Sequence, residues 1–492
     1  MSGAPNRVVV VGRDAALWLA AAALRRALGG AGVEVAAVEL PARLRPGRVH
    51  ASLPPLEALH NRLGLDEATL LRATQGGYAL GWNLVPPAGA PFFLAYGSYG
   101  APIDGNPFFP YWLKARGLGM DAAFEDFSPT AMAARHGRVL LPDAETETFG
   151  RTDYGYHLPA LAYAGLLKSI AHRAGVTLHQ ARDVLVERDE TGDIRAVIAD
   201  AGVRIEGALF VDASGSDAVL AGDAQPFVSW TAEQAADRLL VGHAPRFAAV
   251  PVYGETRIAR DGWLALHATR GGTQVSFAYN SRNLPDEDAL AAASALAALP
   301  LGDVSIETLD AGRRDTPWAG NCIALGAAAC RLDPLFDLDL HVAQLGIVHL
   351  LSLFPVSGNF AAERDEYNRI LGSTLARLHD VGAVFHALNR FEGPFWEAAR
   401  AAPVPEAVAH KIAAFRARAE IAPMEDESFA PDWWQALFVG LGEAPRSWPP
   451  AIDTTSPERI KDEFRRVLGF VKRKVLDQPA HDAYLQLHGG GA

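Results

Sequence analysis

Hydrophobic positions at the start of the chain alternate between strand-like and helix-like patterns. The uninterrupted β-branched run RVVVVG at 7–12 predicts a parallel strand buried on both faces. The Ala/Leu-rich stretch 15–28 predicts a helix, and VEVAAVE at 33–39 predicts a second strand that ends in Glu39. This strand–helix–strand order, with a carboxylate closing the second strand, is typical of a dinucleotide-binding fold.

Later segments add two further layers. The stretch 157–175 predicts an amphipathic helix ending near Gly175. It is followed by short strands, a hairpin at DETGD (189–193) and a buried strand in ALFVDASG (208–215). Residues 246–280 alternate as in an antiparallel sheet, and GNCIALGAAA (320–329) predicts a strand, a Gly/Ala turn and a helix start. Beyond about residue 340 the pattern is helical. The predicted fold class is therefore α/β, with a parallel nucleotide-binding sheet, an inserted mixed sheet and a helical C-terminal region.

Composition narrows the classes of partner. The 492 residues carry a net charge of −12 and no Lys/Arg-rich run, which disfavours nucleic acid and anionic lipid as partners. The longest apolar run, AALWLAAAAL at 15–24, suits a buried helix better than a membrane span. Cys322 and Cys330 form neither a disulfide framework nor a zinc motif. We expect a cytoplasmic protein without metal, nucleic acid or membrane partners.

The turn after the first strand is a partial match to the dinucleotide motif G-x-G-x-x-G. Gly12 occupies the first glycine position, but Asp14 and Leu17 occupy the second and third. An aspartate there adds bulk and negative charge beside an anionic pyrophosphate. From this turn alone, a plain strand–helix connection is as good an interpretation as a nucleotide site.

Two later blocks resemble the flavin contacts of flavin monooxygenases. In VDASG (211–215), Asp212 and Gly215 stand at the end of a buried strand, where small residues let the chain pass close to a dinucleotide. Gly326 ends a strand before the predicted helix, and Val184 stands where such proteins contact the adenine end. Each block alone also fits a packing role. Their order after the first strand–helix–strand unit favours a flavoprotein.

Longer segments then resemble the flavin-dependent tryptophan halogenase family. They are, in the family's order, LPPLEALHNRLGLDEATLLRAT (53–74), YGYHLPALAYAGLL (154–167), WAGNCIALGAAACRLDPL (318–335) and HDVGAVFHALNRFEGPFW (379–396). The resemblance implies an FAD-binding sheet of the flavin monooxygenase type, with FAD supplied in reduced form by a separate flavin reductase. It implies an FAD-binding domain with an inserted substrate-side sheet over 1–350 and a helical C-terminal region over 351–492.

The family's reaction depends on two residues that this sequence lacks. In the family, reduced FAD and oxygen convert halide to hypohalous acid, which reaches a lysine and a glutamate beside the aromatic substrate. Here Ala79, after Tyr78, takes the lysine position, and Phe336 in DPLFD takes the glutamate position. Alanine carries no donor, acceptor or nucleophile, and loss of one positioned acid or base typically costs about 10²–10⁴ in rate.

Three other family motifs have also changed. Asp337 and Leu338 stand where the family holds chloride, and a carboxylate there repels an anion. The motif W-x-W-x-I-P keeps only Trp263, and the family's GVGE becomes GRVH at 47–50. Phe395 and Trp396 match the family's substrate-stacking pair, although an aromatic pair at a helix end is equally often core.

A replacement site is conceivable from residues near these positions, namely Tyr78, His50, Asp337, Asp339 and His341. A single His or Tyr in a large fold is more often packed or solvated than catalytic, and we favour that interpretation.

Two functions remain open. In the first, the chain is a flavoenzyme that oxidises or oxygenates a small aromatic or indole-like substrate, but not by lysine-dependent chlorination. In the second, it is a pseudoenzyme with a regulatory or scaffolding role, as a homodimer or as the partner of a homologous subunit. Gly12, Glu39, Asp212, Gly215 and Gly326 favour the first. Asp14, Leu17, Phe336 and Asp337 favour the second.

Overall fold

The structure is a computed structural model that describes residues 5–222 and 225–489. Contacts between backbone positions divide the chain into two compact units. The first comprises Met1–Gln75, Leu158–Thr231 and Asp310–Arg377, and the second comprises Gly76–His157, Ala232–Leu309 and Leu378–Ala492. The sequence predicted an FAD-binding domain over 1–350 and a helical region over 351–492, and that division stays a prediction.

Strands and helices alternate over the first 220 residues, and helices predominate at the end. The strands are β1 (Arg7–Gly12), β2 (Glu34–Glu39), β3 (Val49–Ala51), β4 (Gly77–Ala79), β5 (Gly81–Val85), β6 (Phe92–Ala95), β7 (Gly155–Pro159), β8 (Thr177–Gln180), β9 (Leu185–Arg188), β10 (Ile194–Ile198), β11 (Arg204–Glu206), β12 (Leu209–Ala213), β13 (Phe227–Ser229), β14 (Arg238–Ala244), β15 (Gly254–Ala259), β16 (Gly262–Ala268), β17 (Thr273–Tyr279), β18 (Gly302–Thr308), β19 (Gly312–Arg314), β20 (Trp318–Ala319), β21 (Cys322–Ala324) and β22 (Cys330–Arg331). The helices are α1 (Asp14–Leu28), α2 (Leu56–Leu63), α3 (Glu67–Thr74), α4 (Phe108–Gly117), α5 (Pro129–Arg135), α6 (Ala144–Phe149), α7 (Ala160–Arg173), α8 (Asp286–Ala297), α9 (Asp339–Ser352), α10 (Ala361–Leu388), α11 (Pro394–Ala401), α12 (Glu406–Arg418), α13 (Pro431–Gly440), α14 (Pro457–Leu476) and α15 (His481–Gly489).

A six-stranded sheet forms the centre of the first unit, in the order β20-β21-β12-β1-β2-β8. Strands β21, β12, β1, β2 and β8 run parallel, and β20 pairs antiparallel at the edge. Val8, Val9, Val10 and Val11 of β1 are all fully buried, as their uninterrupted apolar run predicted. Helix α1 packs against α7, β2 and α9. The predicted parallel sheet is confirmed.

The opposite covering layer of the first unit is a small antiparallel sheet, β11-β10-β9. Its apolar residues join those of β1, β2 and β12 in one core cluster, which includes Val9, Val38, Val197 and Phe210. The predicted hairpin at 189–193 connects β9 to β10. Val184 belongs to the same cluster.

One local prediction is wrong. Gly326 does not precede a helix, because a single 3-10 turn (Gly326–Ala328) leads into β22, which pairs with β19. The φ angle of +60° at Gly326 turns the chain out of the strand direction. The helix α9 begins only at Asp339. The small residues of GAAA (326–329) suggested a helix start, because glycine and alanine are common at helix N-termini as well as in tight turns.

The second unit is built on a seven-stranded mixed sheet, β18-β14-β17-β16-β15-β5-β6. Strands β14 to β17 are antiparallel, as the alternation over 246–280 predicted, and β5 joins β15 in parallel. One face packs on α8, whose Ala289, Ala293 and Ala297 form a narrow stripe against the large residues of β14, β16 and β17. This is the predicted inserted mixed sheet.

The chain beyond residue 378 is helical within the described residues, in agreement with the sequence pattern. Aromatic side chains hold these helices together, as in the stacked rings of Phe415 and Phe438 and of Phe429 and Trp433. Within the part of the chain that the structure describes, no helix is both long and apolar enough to cross a bilayer.

Candidate cofactor edge and reaction position

The carboxyl ends of three parallel strands meet at one edge of the first unit's sheet. Gly12, the last residue of β1, is paired with Glu39 of β2 and with Ala213 of β12. A Cβ on Gly12 would lie 2.3 Å from the carbonyl oxygen of Ala213, so only glycine allows β12 to approach this closely. The edge therefore has the arrangement that places a dinucleotide in parallel sheets.

Asp14, at the second glycine position of the motif, has a backbone conformation that glycine adopts readily. Its φ angle is +58°, a left-handed value that L-residues rarely adopt. Burial raises the pKa of its carboxyl group, opposed by the backbone amide of Arg43 and the charge of Arg13. Leu17 at the third glycine position is fully buried among the apolar residues of α1. The turn thus combines a left-handed aspartate with a buried leucine where the motif has glycines.

Asp212 directs its carboxylate into the loop that follows β12. One oxygen accepts from the backbone and hydroxyl of Ser214, at 3.0 and 2.5 Å. The other accepts from the backbone amides of Leu220 and Ala221, at 2.7 and 2.8 Å. The side chain is fully buried. Asp212 therefore shapes the loop that follows β12, and a direct cofactor contact stays a prediction.

The remaining predicted contact residues are distributed along the same unit. Gly215 has a φ of +76° and open space where a side chain would be, so the chain there is accessible to a ligand. Gly326 lies against Ala16 of α1 and Ala343 of α9. Both carboxylate oxygens of Glu39 accept from the Nζ of Lys168, at 2.9 and 2.6 Å. Glu39 thus already has a cationic partner from α7.

Three charged residues at this edge were missed by the sequence analysis. Asp217 accepts from Arg13 at 2.8 Å with one carboxylate oxygen and from Arg43 at 2.5 Å with the other. Arg13 directly precedes α1, Arg43 follows β2, and Asp217 follows β12. The available signal was the arginine directly between Gly12 and Asp14. It places positive charge in a turn whose second glycine has become acidic.

The segment with the missing glutamate contacts the segment that replaces GVGE. Phe336 is buried at the end of a 3-10 turn, and the next residue, Asp337, accepts from the backbone amide of Ala51 at 3.2 Å. His50, beside Ala51, buries both ring nitrogens, and neither has a hydrogen-bond partner among the described residues. Burial lowers the pKa of His50 to about 4, while the nearby charge of Asp337 opposes that shift.

The other proposed replacement residues take different positions. Asp339 lies 3.8 Å from the guanidinium of Arg48, and Leu338 is buried before α9. His341 is buried inside α9, with Nδ1 3.4 Å from the side-chain oxygen of Gln344. Burial lowers the pKa of His341 to about 4. Of these residues, His50 is the one whose ring nitrogens both lack a partner among the described residues, and Asp337 lies near enough for its charge to influence the pKa of His50.

Ala79, which the sequence analysis placed at the family's lysine position, lies in strand β4 of the second unit. Ala79 is buried opposite Gly155 of β7, so no side chain from that strand extends toward it. Tyr78 points into an aromatic cluster, with ring centroids 5.3 to 6.1 Å from those of Tyr154, Tyr156, His481 and Tyr484. Its backbone amide donates to His481 at 3.1 Å. Tyr78 is therefore a packed core residue.

Comparisons with known proteins agree over the whole length. The profile of the family described as "Tryptophan halogenase" matches residues 7–457. This chain belongs to the tryptophan halogenase family. It is similar to tryptophan 6-halogenase ThaL of Streptomyces albogriseolus, with 26% identity over 98% of each chain. Among solved structures it is similar to BrvH, a flavin-dependent halogenase from Brevundimonas sp. BAL3, with 28% identity, 99% coverage of both chains and a TM-score of 0.92.

A second halogenase structure leads to the same assignment. Xcc4156, a flavin-dependent halogenase from Xanthomonas campestris, is 28% identical, with 99% coverage of both chains and a TM-score of 0.92. The predicted family, the FAD-binding α/β fold class and FAD as the family's cofactor are confirmed.

Because Ala79 has no amine, the contacts of the lysines elsewhere in this tryptophan halogenase relative are of interest. The six lysines of the sequence all lie among the described residues. Those with defined contacts are Lys114, bonded to the carbonyls of Ile452 and Thr455, Lys168, bonded to Glu39, Lys411, bonded to Glu427, and Lys474, bonded to Asp143 and Glu145. Lys461 and Lys472 are exposed on α14.

The aromatic pair that matches the family's substrate-stacking residues is enclosed by protein. Phe395 and Trp396 have no exposed surface, and the indole N–H of Trp396 donates to the carbonyl of Ala259 at 2.6 Å. A stacking role for these rings stays a prediction. Trp263, the retained part of the tryptophan motif, is also fully buried, and its indole N–H has no partner among the described residues.

Proposed function

We propose that this halogenase relative is a flavin-dependent oxidoreductase that acts on a small aromatic or indole-like compound without lysine-dependent chlorination. One observation carries the proposal. Ala79 of β4 is buried opposite Gly155 of β7. Four of the six lysines are bonded to other groups, and the other two are exposed on α14. At the cofactor edge, in contrast, Gly12 allows β1 and β12 to approach closely.

The residues at that edge fit a dinucleotide. Gly12 permits the close strand approach, Gly215 leaves open space, and the buried Nε of Arg13 has no acceptor among the described residues. Arg13 and Arg43 would hold the diphosphate, and Glu39, paired with Lys168, stands where a ribose hydroxyl is bound in such folds. When bound, reduced FAD supplies the electrons for oxygen chemistry.

His50 and Asp337 are the groups with which this chain could move a proton in the first unit. The imidazole of His50 is neutral near pH 7, because burial lowers its pKa to about 4. A neutral imidazole both donates and accepts, so its two unpartnered nitrogens can bond a ligand and relay a proton. Asp337, fixed by the amide of Ala51, would orient the ring by its charge.

A second function is favoured by a different observation. The Asp217 carboxylate already bridges both arginines, so the chain's own acid occupies the groups that would bind a phosphate. This arrangement supports the pseudoenzyme alternative, in which the protein regulates or supports an active relative as a homodimer or as the partner of a homologous subunit.

Titration of the purified protein with oxidised and reduced FAD distinguishes the oxidoreductase from the pseudoenzyme. Saturable binding at micromolar FAD, followed by turnover with a flavin reductase, oxygen and an indole substrate but no halide, supports the oxidoreductase. Ala79→Lys with Phe336→Glu then tests the missing reaction, with Ala79→Met as the control for bulk in β4. Chlorination by the unmodified chain contradicts the proposal. Absence of FAD binding at high micromolar concentration favours the pseudoenzyme.

A further inference from the structure

Arg13, Asp217 and Arg43 connect the three loops that follow β1, β12 and β2. The Asp217 carboxylate lies between the two guanidinium groups, with one oxygen on each. These loops bound the crevice at the carboxyl edge of the sheet, where phosphates bind in folds of this type. The bridge therefore lies where a bound diphosphate would need its own cationic partners.

Arg13 is largely buried, and most of its hydrogen-bonding capacity is unused. Its side chain is only 11% exposed, and it uses one terminal nitrogen for Asp217 while its Nε is buried without a partner in the described part of the chain. A buried guanidinium normally bonds through several of its five donors, because an unsatisfied donor keeps its full desolvation cost. A single carboxylate oxygen leaves this capacity unused, whereas a phosphate offers more acceptors and more charge.

We propose that Asp217 is an internal substitute for the diphosphate of the dinucleotide, so that the chain closes its own cofactor crevice with an Arg13–Asp217–Arg43 bridge. This inference rests on the proposed flavin function. Binding then requires that Asp217 release both arginines, which turn to the diphosphate. Affinity for the ligand is reduced in proportion to the population of the bridged state. The bridge thus sets how readily the protein loads its cofactor.

The local charges explain why such a bridge would form. Asp14, in the turn after β1, and Asp217, in the loop after β12, bring two carboxylates to this edge, and the backbone amide of Arg43 donates to Asp14. Without a ligand, two arginines at one crevice would repel each other, and Asp217 neutralises part of that repulsion. The bridge also joins residues 204 and 174 positions apart in sequence, so it fixes the crevice loops before any ligand arrives.

Isothermal titration with inorganic pyrophosphate and, separately, with FAD tests this bridge. Asp217→Asn keeps the shape and removes the competing charge, so we expect its Kd for both ligands to fall about tenfold or more. Arg13→Met removes the main donor, and loss of bonds to a charged group is expected to raise both Kd values about tenfold to a hundredfold. Glu187→Gln and Arg204→Met break a more exposed arginine–carboxylate pair on the small sheet β11-β10-β9 and should leave both Kd values unchanged.

The two ligands separate the outcomes. If pyrophosphate binding follows the expected order while FAD does not bind any variant, the bridge is correct and the flavin function is wrong. If FAD binds but Asp217→Asn has the Kd of the unmodified chain for both ligands, the bridge is overturned and the flavin function stands. If Arg13→Met does not fold, Arg43→Met tests the same bridge, because it removes the second guanidinium that bonds Asp217. An unchanged pyrophosphate Kd in Arg43→Met and Asp217→Asn together also overturns the bridge.

Discussion

Replacing Asp212 by asparagine should loosen the loop that closes the cofactor edge. The carboxylate accepts four hydrogen bonds, two from Ser214 and one each from the amides of Leu220 and Ala221. An asparagine can keep its oxygen toward Ser214, but its NH₂ group then faces the two amides, which are donors as well. Two bonds to a charged group are lost, at about 1.5–3 kcal/mol each, so the local cost is about 3–6 kcal/mol.

Hydrogen exchange measures this loss where it occurs. A local destabilisation of about 3 kcal/mol should speed exchange of the Leu220 and Ala221 amides about a hundredfold. FAD and pyrophosphate should bind more weakly for the same reason, because Gly215 and Asp217 belong to this loop. Ser214→Ala removes only the side-chain donor and is the milder control.

Two results would refute this reasoning. Unchanged protection of both amides in Asp212→Asn would mean that the carboxylate does not hold the loop. Unchanged protection combined with lost FAD binding would instead assign Asp212 to direct contact with the cofactor, as its position in VDASG suggested.

Two further predictions concern buried ionisable groups. Lys411 has no exposed side-chain surface, pairs with Glu427, and has its Nζ 3.9 Å from the ring centroid of Trp434. Lys411→Met should therefore lower the free energy of unfolding, measured in urea, by about 3–5 kcal/mol, whereas the substitution of the exposed Lys461 by Met should change it little. Equal stability of the two variants would contradict a structural role for Lys411. Burial lowers the pKa of His60 to about 4. Between pH 6.5 and 4, His60 is therefore protonated in the unfolded chain but neutral in the folded chain, so the free energy of unfolding falls as pH falls toward 4. This site alone should lower the free energy of unfolding by about 2.5 kcal/mol between pH 7 and 4.5, and His60→Gln should remove that part of the pH dependence; an identical pH profile for both proteins would refute it.

The sequence predicted the regular elements well where the pattern was long or unambiguous. The four buried valines of β1, the strand ending at Glu39 and the hairpin at 189–193 are local signals, and each appears in the structure as expected. The helix start after Gly326 was wrong, because small residues favour tight turns as well as helix N-termini and the pairing of β22 with β19 is not visible locally.

The site was less predictable because its contacts join distant segments. Arg13 and Asp217 are 204 residues apart, and both lie in loops, which carry no periodic pattern. Asp212 was recognised by its motif, yet its side-chain direction depends on a loop that folds back eight and nine residues later. At Ala79, by contrast, the type of residue was itself decisive, because no arrangement gives a methyl group the chemistry of an amine.

The strand order of the first unit has a consequence for the newly made polypeptide. Strand β1 pairs with β2, which follows within thirty residues, but its other neighbour, β12, begins only at Leu209. At the usual elongation rate of about 5–20 residues per second, one edge of β1, with its four central valines, remains unpaired for about 10–40 s until β12 has been synthesised. Exposed apolar edges of this kind template wrong pairings. The yield of native protein should therefore depend on chaperones that bind nascent chains early in synthesis.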